Sequence, residues 1–330
     1  MRTKSRIFLL SLTTAFFFTS CYRATKDMSG NAKMYEPAMT EEMAIEDMPM
    51  VDPEAGEIEP HNTESYDIIK ENTFQSPLDH PLSTFSVDVD YASYSNTRRF
   101  LMNGNLPPKD AVRIEEFINY FNYDYPAPEG QAPFSIHTEM TACPWQSEHR
   151  LVQIGLKGKD IPKEELPPSN LVFLLDVSGS MDAPNKLPLL KSAFKMLVNQ
   201  LDNDDYVSIV VYAGASGVVL EPTSCDEKSK IINALDQLDA GGSTAGAEGL
   251  ELAYKLAQEH FRPEANNRIL LATDGDFNIG PSSDAQMQRL IESKRDAGIF
   301  LSVLGFGMGN YKDSKMEAIA DNGNGNYAYI

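Results

Sequence analysis

Cysteine and histidine are scarce: 3 cysteines and 5 histidines occur in 330 residues, with no C-x-x-C pair and no H-E-x-x-H helix among them. His61, His80, His137, His149 and His260 are scattered along the chain, which argues against a zinc site and against Cys/His catalysis. Positive charge is scarce as well. With 28 Lys and Arg against 48 Asp and Glu, the formal net charge of -20 repels phosphate backbones, so nucleic acid is excluded as a partner and a protein or a cation is favoured. Long apolar runs are also missing, because IFLLSLTTAFFFTSC near the start is too short for a membrane span.

That stretch follows Arg2, Lys4 and Arg6, the layout of an export signal with a basic start and a short apolar middle. Its end, FTSC, resembles a bacterial lipobox, which makes residues 1–21 a lipoprotein signal and Cys21 the lipidated first residue. The expected location is the cell envelope, held to the membrane by the lipid. Tyr22 rather than Asp after Cys21 points to the outer membrane in a Gram-negative host, by resemblance to lipoprotein sorting rules. Cys143 and Cys225 are expected as two buried thiols, with a disulfide between them left open.

Residues 22–81 lack periodicity, and residues 28–60 carry nine acids against the single Lys33, so this stretch is expected to be a disordered acidic tether. Sixty flexible residues would span on the order of 40 Å.

Residues 82–167 form a smaller α+β region. Phe85, Val87, Val89 and Tyr91 alternate with polar residues as on a half-buried strand, with Asp88 and Asp90 on its solvated face. In RIEEFINYFNYDY the helical spacing of Ile114, Phe117, Ile118 and Phe121 predicts a packed face, with Glu115 and Glu116 in water. FSIHTEMT and RLVQIGLKG read as two strands. Two strands are not stable alone, so the earlier strand or strands beyond Ile330 are expected to complete the sheet, and the ending in the apolar run NYAYI predicts a longer gene product.

From residue 168 to 330 short aliphatic strands alternate with amphipathic helices. The strands are LVFLLD, YVSIVVYA, GVVL, RILLATD, IFLSVLGFG and NYAYI; KLPLLKSAFKMLVNQL, KIINALDQL, AGAEGLELAYKLAQEHF and AQMQRLIESKRDAG lie between them. Such alternation predicts an α/β fold with a doubly wound, mostly parallel sheet, Rossmann-like, whose ligand site lies at the carboxyl ends of the strands. Three polar segments fall there: DVSGS with Asp176, Ser178 and Ser180, GGSTAG with Thr244, and ATDGD with Asp274. Two carboxylates and three hydroxyls are hard oxygen donors suited to Mg²⁺ or Mn²⁺. Singly, each segment also reads as a turn or a helix cap. Asp276 and Asn278 are expected only at the rim.

Together the D-x-S-x-S run, Thr244 and Asp274 resemble the metal-ion-dependent adhesion site of the von Willebrand factor type A domain, over residues 168–330. FSVDVDYASYSNTRRFL and RIEEFINYFNYDYP are similar to the N-terminal domain of bacterial lipoproteins that carry this module, in which a further C-terminal domain usually follows. The resemblance implies that Ser178, Ser180 and Thr244 touch the metal and that Asp176 and Asp274 act partly through water. It further implies that a partner Asp or Glu completes the coordination, and that the chain is a binding module with no catalytic residues. Repulsion between Asp176 and Asp274 is expected to oppose folding until a cation neutralises it. Two alternatives stay open: a Mg²⁺-dependent hydrolase, against which Ser178 stands where a phosphatase wants a second acid, and an envelope scaffold whose metal is only structural. Oligomeric state is not legible.

Overall fold

The computed structural model describes residues 64–84, 90–242, 246–275, 284–307 and 312–330. They lie in one compact unit that runs from residue 57 to residue 330. Cys21, the signal segment, most of the tether and residues 85–89 fall outside the described residues.

The centre is a six-stranded sheet. Its strands are β3 (Ser169–Asp176), β4 (Tyr206–Tyr212), β5 (Ser216–Ser224), β6 (Asn266–Thr273), β7 (Ile299–Gly305) and β8 (Tyr327–Tyr329). They lie in the order β5-β4-β3-β6-β7-β8, parallel throughout except for the β4–β5 hairpin at one edge. Helices α3 (Leu187–Gln200) and α4 (Lys228–Asp236) cover one face, and α5 (Gly246–Glu259), α6 (Asp284–Asp296) and α7 (Asp313–Asn322) the other. The strands are aliphatic without alternation because both faces are buried. In β3, Val172 and Leu174 enter the core under α5, while Leu171, Phe173 and Leu175 enter the core under α3, where Phe173 meets Phe194 edge-on at 4.5 Å. All six expected strands and four expected helices form, and α7 is an addition whose short amphipathic repeat was not recognised.

Strand order reverses between β3 and β6: the chain leaves β3 towards β4 on one side and returns through β6 on the other. The crevice outside the carboxyl ends of β3 and β6 is therefore the switch point where ligands bind in this architecture.

The region before residue 168 departs from expectation in several places. Tyr91 belongs to no strand; it precedes α1 (Ala92–Met102), whose first turn buries Ala92, Ser93 and Asn96. Asp90 is half-buried rather than on a solvated strand face, and it accepts the backbone N–H of Tyr327 at 3.0 Å and so holds β8. Glu116 is buried on α2 (Ile114–Asn119), while Ile114, Ile118 and Phe121 are exposed. The reason is electrostatic: the Glu116 carboxylate accepts the N–H of Ser93 at the unsatisfied N-terminus of α1, at 2.8 Å, and pairs with Arg113 at 3.4 Å. Arg113 also pairs with Asp313 and Glu317 of α7, so one guanidinium joins α2 to the large sheet's helical layer.

The end of the stretch read as tether is likewise engaged. Glu64 forms a two-pronged ion pair with Arg99 at 2.9 Å, Tyr66 accepts from Asn96 at 2.7 Å, and Ser65 bridges to Lys312 in β fashion. Strands β1 (Phe134–Ala142) and β2 (Arg150–Gly158) pair antiparallel along their full length. Among the described residues they pair with no other strand, and Ile136, Met140, Val152 and Ile154 remain exposed. Cys143 and Cys225 are buried free thiols.

Candidate metal centre

The aliphatic run of β3 carries Asp176 to the sheet's end, and the chain then turns through a short 3₁₀ segment, Gly179–Asp182, that brings Ser178 and Ser180 back beside it. Ser178 donates both its N–H and its hydroxyl to Asp176 Oδ1, at 2.9 and 2.6 Å. The Ser178 and Ser180 hydroxyls lie 3.1 Å apart. Asp176 and Ser178 are buried, whereas Ser180 is exposed, so the three oxygens step from the protein interior to solvent.

The other carboxylate oxygen of Asp176 accepts from Tyr212 at the end of β4 (3.2 Å) and from Thr273 at the end of β6 (3.1 Å). Asp274 follows directly, fully buried, with the ammonium of Lys186 at 2.8 Å from Oδ2. Burial pushes the Asp176 carboxyl up to about 6; the Ser178 hydrogen bonds oppose that rise and the neighbouring Asp274 charge adds to it. The expected repulsion between the two acids is therefore present but offset. Four donors stabilise Asp176 and an internal cation pairs with Asp274.

The structure brings Asp176, Ser178, Ser180 and Asp274 to the switch point. Thr244, Asp276 and Asn278 lie outside the described residues. The loop leading towards Thr244 is nonetheless fixed to the site: Gly241 N–H donates to Val177 O at 2.7 Å and Gly179 N–H to Gly242 O at 3.0 Å. Gly242 has φ +86, and a Cβ there would come within 3.0 Å of Gly214 N, so this approach of three loops requires glycine. Tyr212, Thr273 and Lys186 were missed from sequence. Thr273 had a signal, standing beside Asp274 in ATDGD; the other two arrive from distant elements. Tyr212 in turn packs under Gly249 of α5, where a Cβ would fall 2.8 Å from Tyr212 Cβ.

Two carboxylates and two hydroxyls converging on the open end of a crevice fit a hard divalent cation by donor chemistry. Among the described residues no three His, Cys, Asp or Glu side chains cluster as metal ligands.

The family model for the von Willebrand factor type A domain matches residues 170–330, and a second, described as von Willebrand factor, matches residues 60–153. The chain carries a von Willebrand factor type A domain. Members of this family are known for metal-dependent protein–protein interaction. Among curated relatives, the uncharacterized protein YfbK of Escherichia coli is 45% identical over 275 residues, 81% of this chain and 48% of its own length. The uncharacterized protein sll0103 of Synechocystis is 30% identical over 56% of this chain and 43% of its own. The chain thus spans about half the length of these relatives. A solved type A domain from Catenulispora acidiphila is 21% identical, with a TM-score of 0.45 over 63% of this chain and 48% of that one.

Proposed function

We propose that this chain is a membrane-anchored module that binds a protein partner through a divalent cation, Mg²⁺ or Mn²⁺, held by Asp176, Ser178, Ser180, Thr244 and Asp274. The observation that carries the reading is the convergence of Asp176, Ser178, Ser180 and Asp274 outside the carboxyl ends of β3 and β6, with Ser180 open to solvent. A bound cation would supply a Lewis-acidic position able to accept a carboxylate oxygen from outside. The chain's own residues do the rest. Asp176 is oriented by Ser178, Tyr212 and Thr273, so its charge is fixed in place before any ligand arrives. Neutral hydroxyls from Ser178 and Ser180 provide dipoles without cancelling a cation's charge, which leaves that charge to attract an Asp or Glu of a partner protein.

Cys21 and its preceding signal support the anchoring and a cell-envelope location. The net charge of -20 disfavours nucleic acid.

The test is calorimetric titration with Mn²⁺ and Mg²⁺, alongside capture of partners from envelope extract with and without EDTA. Saturable binding in the parent, lost in Asp176→Ala together with EDTA-sensitive capture, is expected; full binding by Asp176→Ala removes the site from consideration. Cys21→Ala is expected to shift the protein from the membrane to the soluble fraction.

A further inference from the structure

Lys186 is a buried cation that the metal-binding reading does not use. Its side chain is 10% exposed and its ammonium lies 2.8 Å from Asp274 Oδ2, whose side chain is 0% exposed. The lysine is held at both ends. Its backbone enters α3, with Leu190 N–H donating to Lys186 O at 2.8 Å and Lys186 N–H to Ala183 O at 2.9 Å. Its stem lies against Gly307, where φ is +79 and a Cβ would fall 2.2 Å from Lys186 Cε. Glycine at 307 therefore leaves the space through which the stem reaches Asp274, and three separate segments define the ammonium's position.

A surface lysine beside an acid is a weak, screened contact. Here both groups are inside the protein, where charges interact strongly and a buried carboxylate needs a counter-charge. The same carboxylate is one of the two acids of the proposed metal site. An ammonium and a divalent ion at Asp274 compete, either by exclusion from one oxygen or by repulsion between like charges a few ångströms apart.

We propose that Lys186 is an internal counter-cation that competes with the divalent ion for Asp274 and so sets the ion concentration at which the module becomes competent to bind its partner. The inference rests on the metal-site reading. It makes Lys186 a tuning residue: the lysine offsets the charge of Asp274 before any ion is bound, and the site fills only when the divalent ion outcompetes it.

Two readouts test this in the full chain, with Mn²⁺ alone as the probe. In calorimetric titration Lys186→Met, which keeps the stem and removes the charge, should bind Mn²⁺ at least about tenfold more tightly than the parent, while Lys186→Arg stays within about threefold of it. In thermal unfolding with EDTA, Lys186→Met should melt below the parent because Asp274 loses the Lys186 ammonium, and saturating Mn²⁺ should raise its melting temperature more than the parent's. A merely structural lysine would weaken Mn²⁺ binding on removal, so tightening separates the two roles. Equal or weaker binding by Lys186→Met, in a chain whose parent binding is lost in Asp176→Ala, overturns the inference and leaves the metal site standing. Absence of Mn²⁺ binding in the parent, Lys186→Met and Lys186→Arg alike overturns both.

Discussion

The type A sheet and the β1–β2 ribbon are built from similar apolar runs and end differently. In β3 every residue from Leu171 to Leu175 is buried, because helices press on both faces. In β1 and β2 the alternating apolar residues are in place and paired in full register, yet Ile136 is 59% exposed and Met140 70%. β3 is paired along both edges, by β4 and β6, whereas β1 and β2 pair only with each other, so the ribbon has half the ladder. The larger difference is burial. Apolar area removed from water contributes about 25 cal/mol per Å², and β1–β2 removes little of it. A two-stranded ribbon of this kind is marginal by itself, whereas the doubly wound sheet supplies its own cover.

The sharpest way to break this comparison is to truncate one large side chain in each region. Phe173→Ala, in a core packed against Phe194, should cost about 3 to 5 kcal/mol in urea unfolding. Met140→Ala, on the open ribbon, should change stability by no more than about 0.5 kcal/mol. A cost at Met140 that matches the cost at Phe173 would mean that the ribbon face is covered in solution.

The same contrast explains what was legible in the sequence. Where each element buries its own stripe, as in Leu187, Leu190, Phe194 and Val198 of α3, periodicity alone identifies the element and its inward face. The position of the candidate donors at the sheet's end was legible for a related reason: Asp176, Ser178 and Ser180 are local, and Asp274 closes a strand of recognisable pattern. Lys186 and Tyr212 were not, since each meets its acid across 88 and 36 residues of chain, a distance that no local pattern encodes. In the first region periodicity misled. The apolar stripe of α2 promised a buried face, but the buried position went to Glu116, because the N-terminus of α1 and Arg113 offered it hydrogen-bonding and charged partners.

Glu116 also gives the joint between the two regions a pH dependence. Its carboxyl is pushed up to about 7, chiefly by burial, against the opposing pull of the Ser93 N–H and Arg113 and with some help from Asp313 and Glu317. Asp313, which faces the same Arg113, is raised to about 6, again chiefly by burial. A carboxyl with a folded pKa above its unfolded value of about 4.3 binds its proton more readily in the native state. The stability it contributes is thus complete below pH ~4 and is lost as pH rises through about 7. Parent stability at this joint should fall between pH 5 and pH 8 by on the order of 2 to 3 kcal/mol, and Glu116→Gln should flatten that slope. Identical slopes for the two proteins would show that the joint does not respond to this group.

Within the candidate metal centre the same boundary between covered and open runs through a single loop. Ser178 is 2% exposed and bonded twice to Asp176, while Ser180 is exposed and its hydroxyl lies 3.1 Å from that of Ser178. Ser178→Ala leaves a buried carboxylate oxygen short of a donor and mixes a folding cost with any effect on metal, so it is a poor probe of the site. Ser180→Ala is a clean one. Its hydroxyl supports no packing, and the change should alter unfolding free energy by no more than about 0.5 kcal/mol. If the hydroxyl belongs to the donor set, Mn²⁺ affinity should nevertheless fall by about tenfold, roughly the 1.4 kcal/mol expected when one neutral oxygen donor is removed. Unchanged Mn²⁺ affinity in Ser180→Ala would place the ion deeper, against the covered Asp176 and Ser178 alone, and would leave the solvent-facing hydroxyl with no part in holding it.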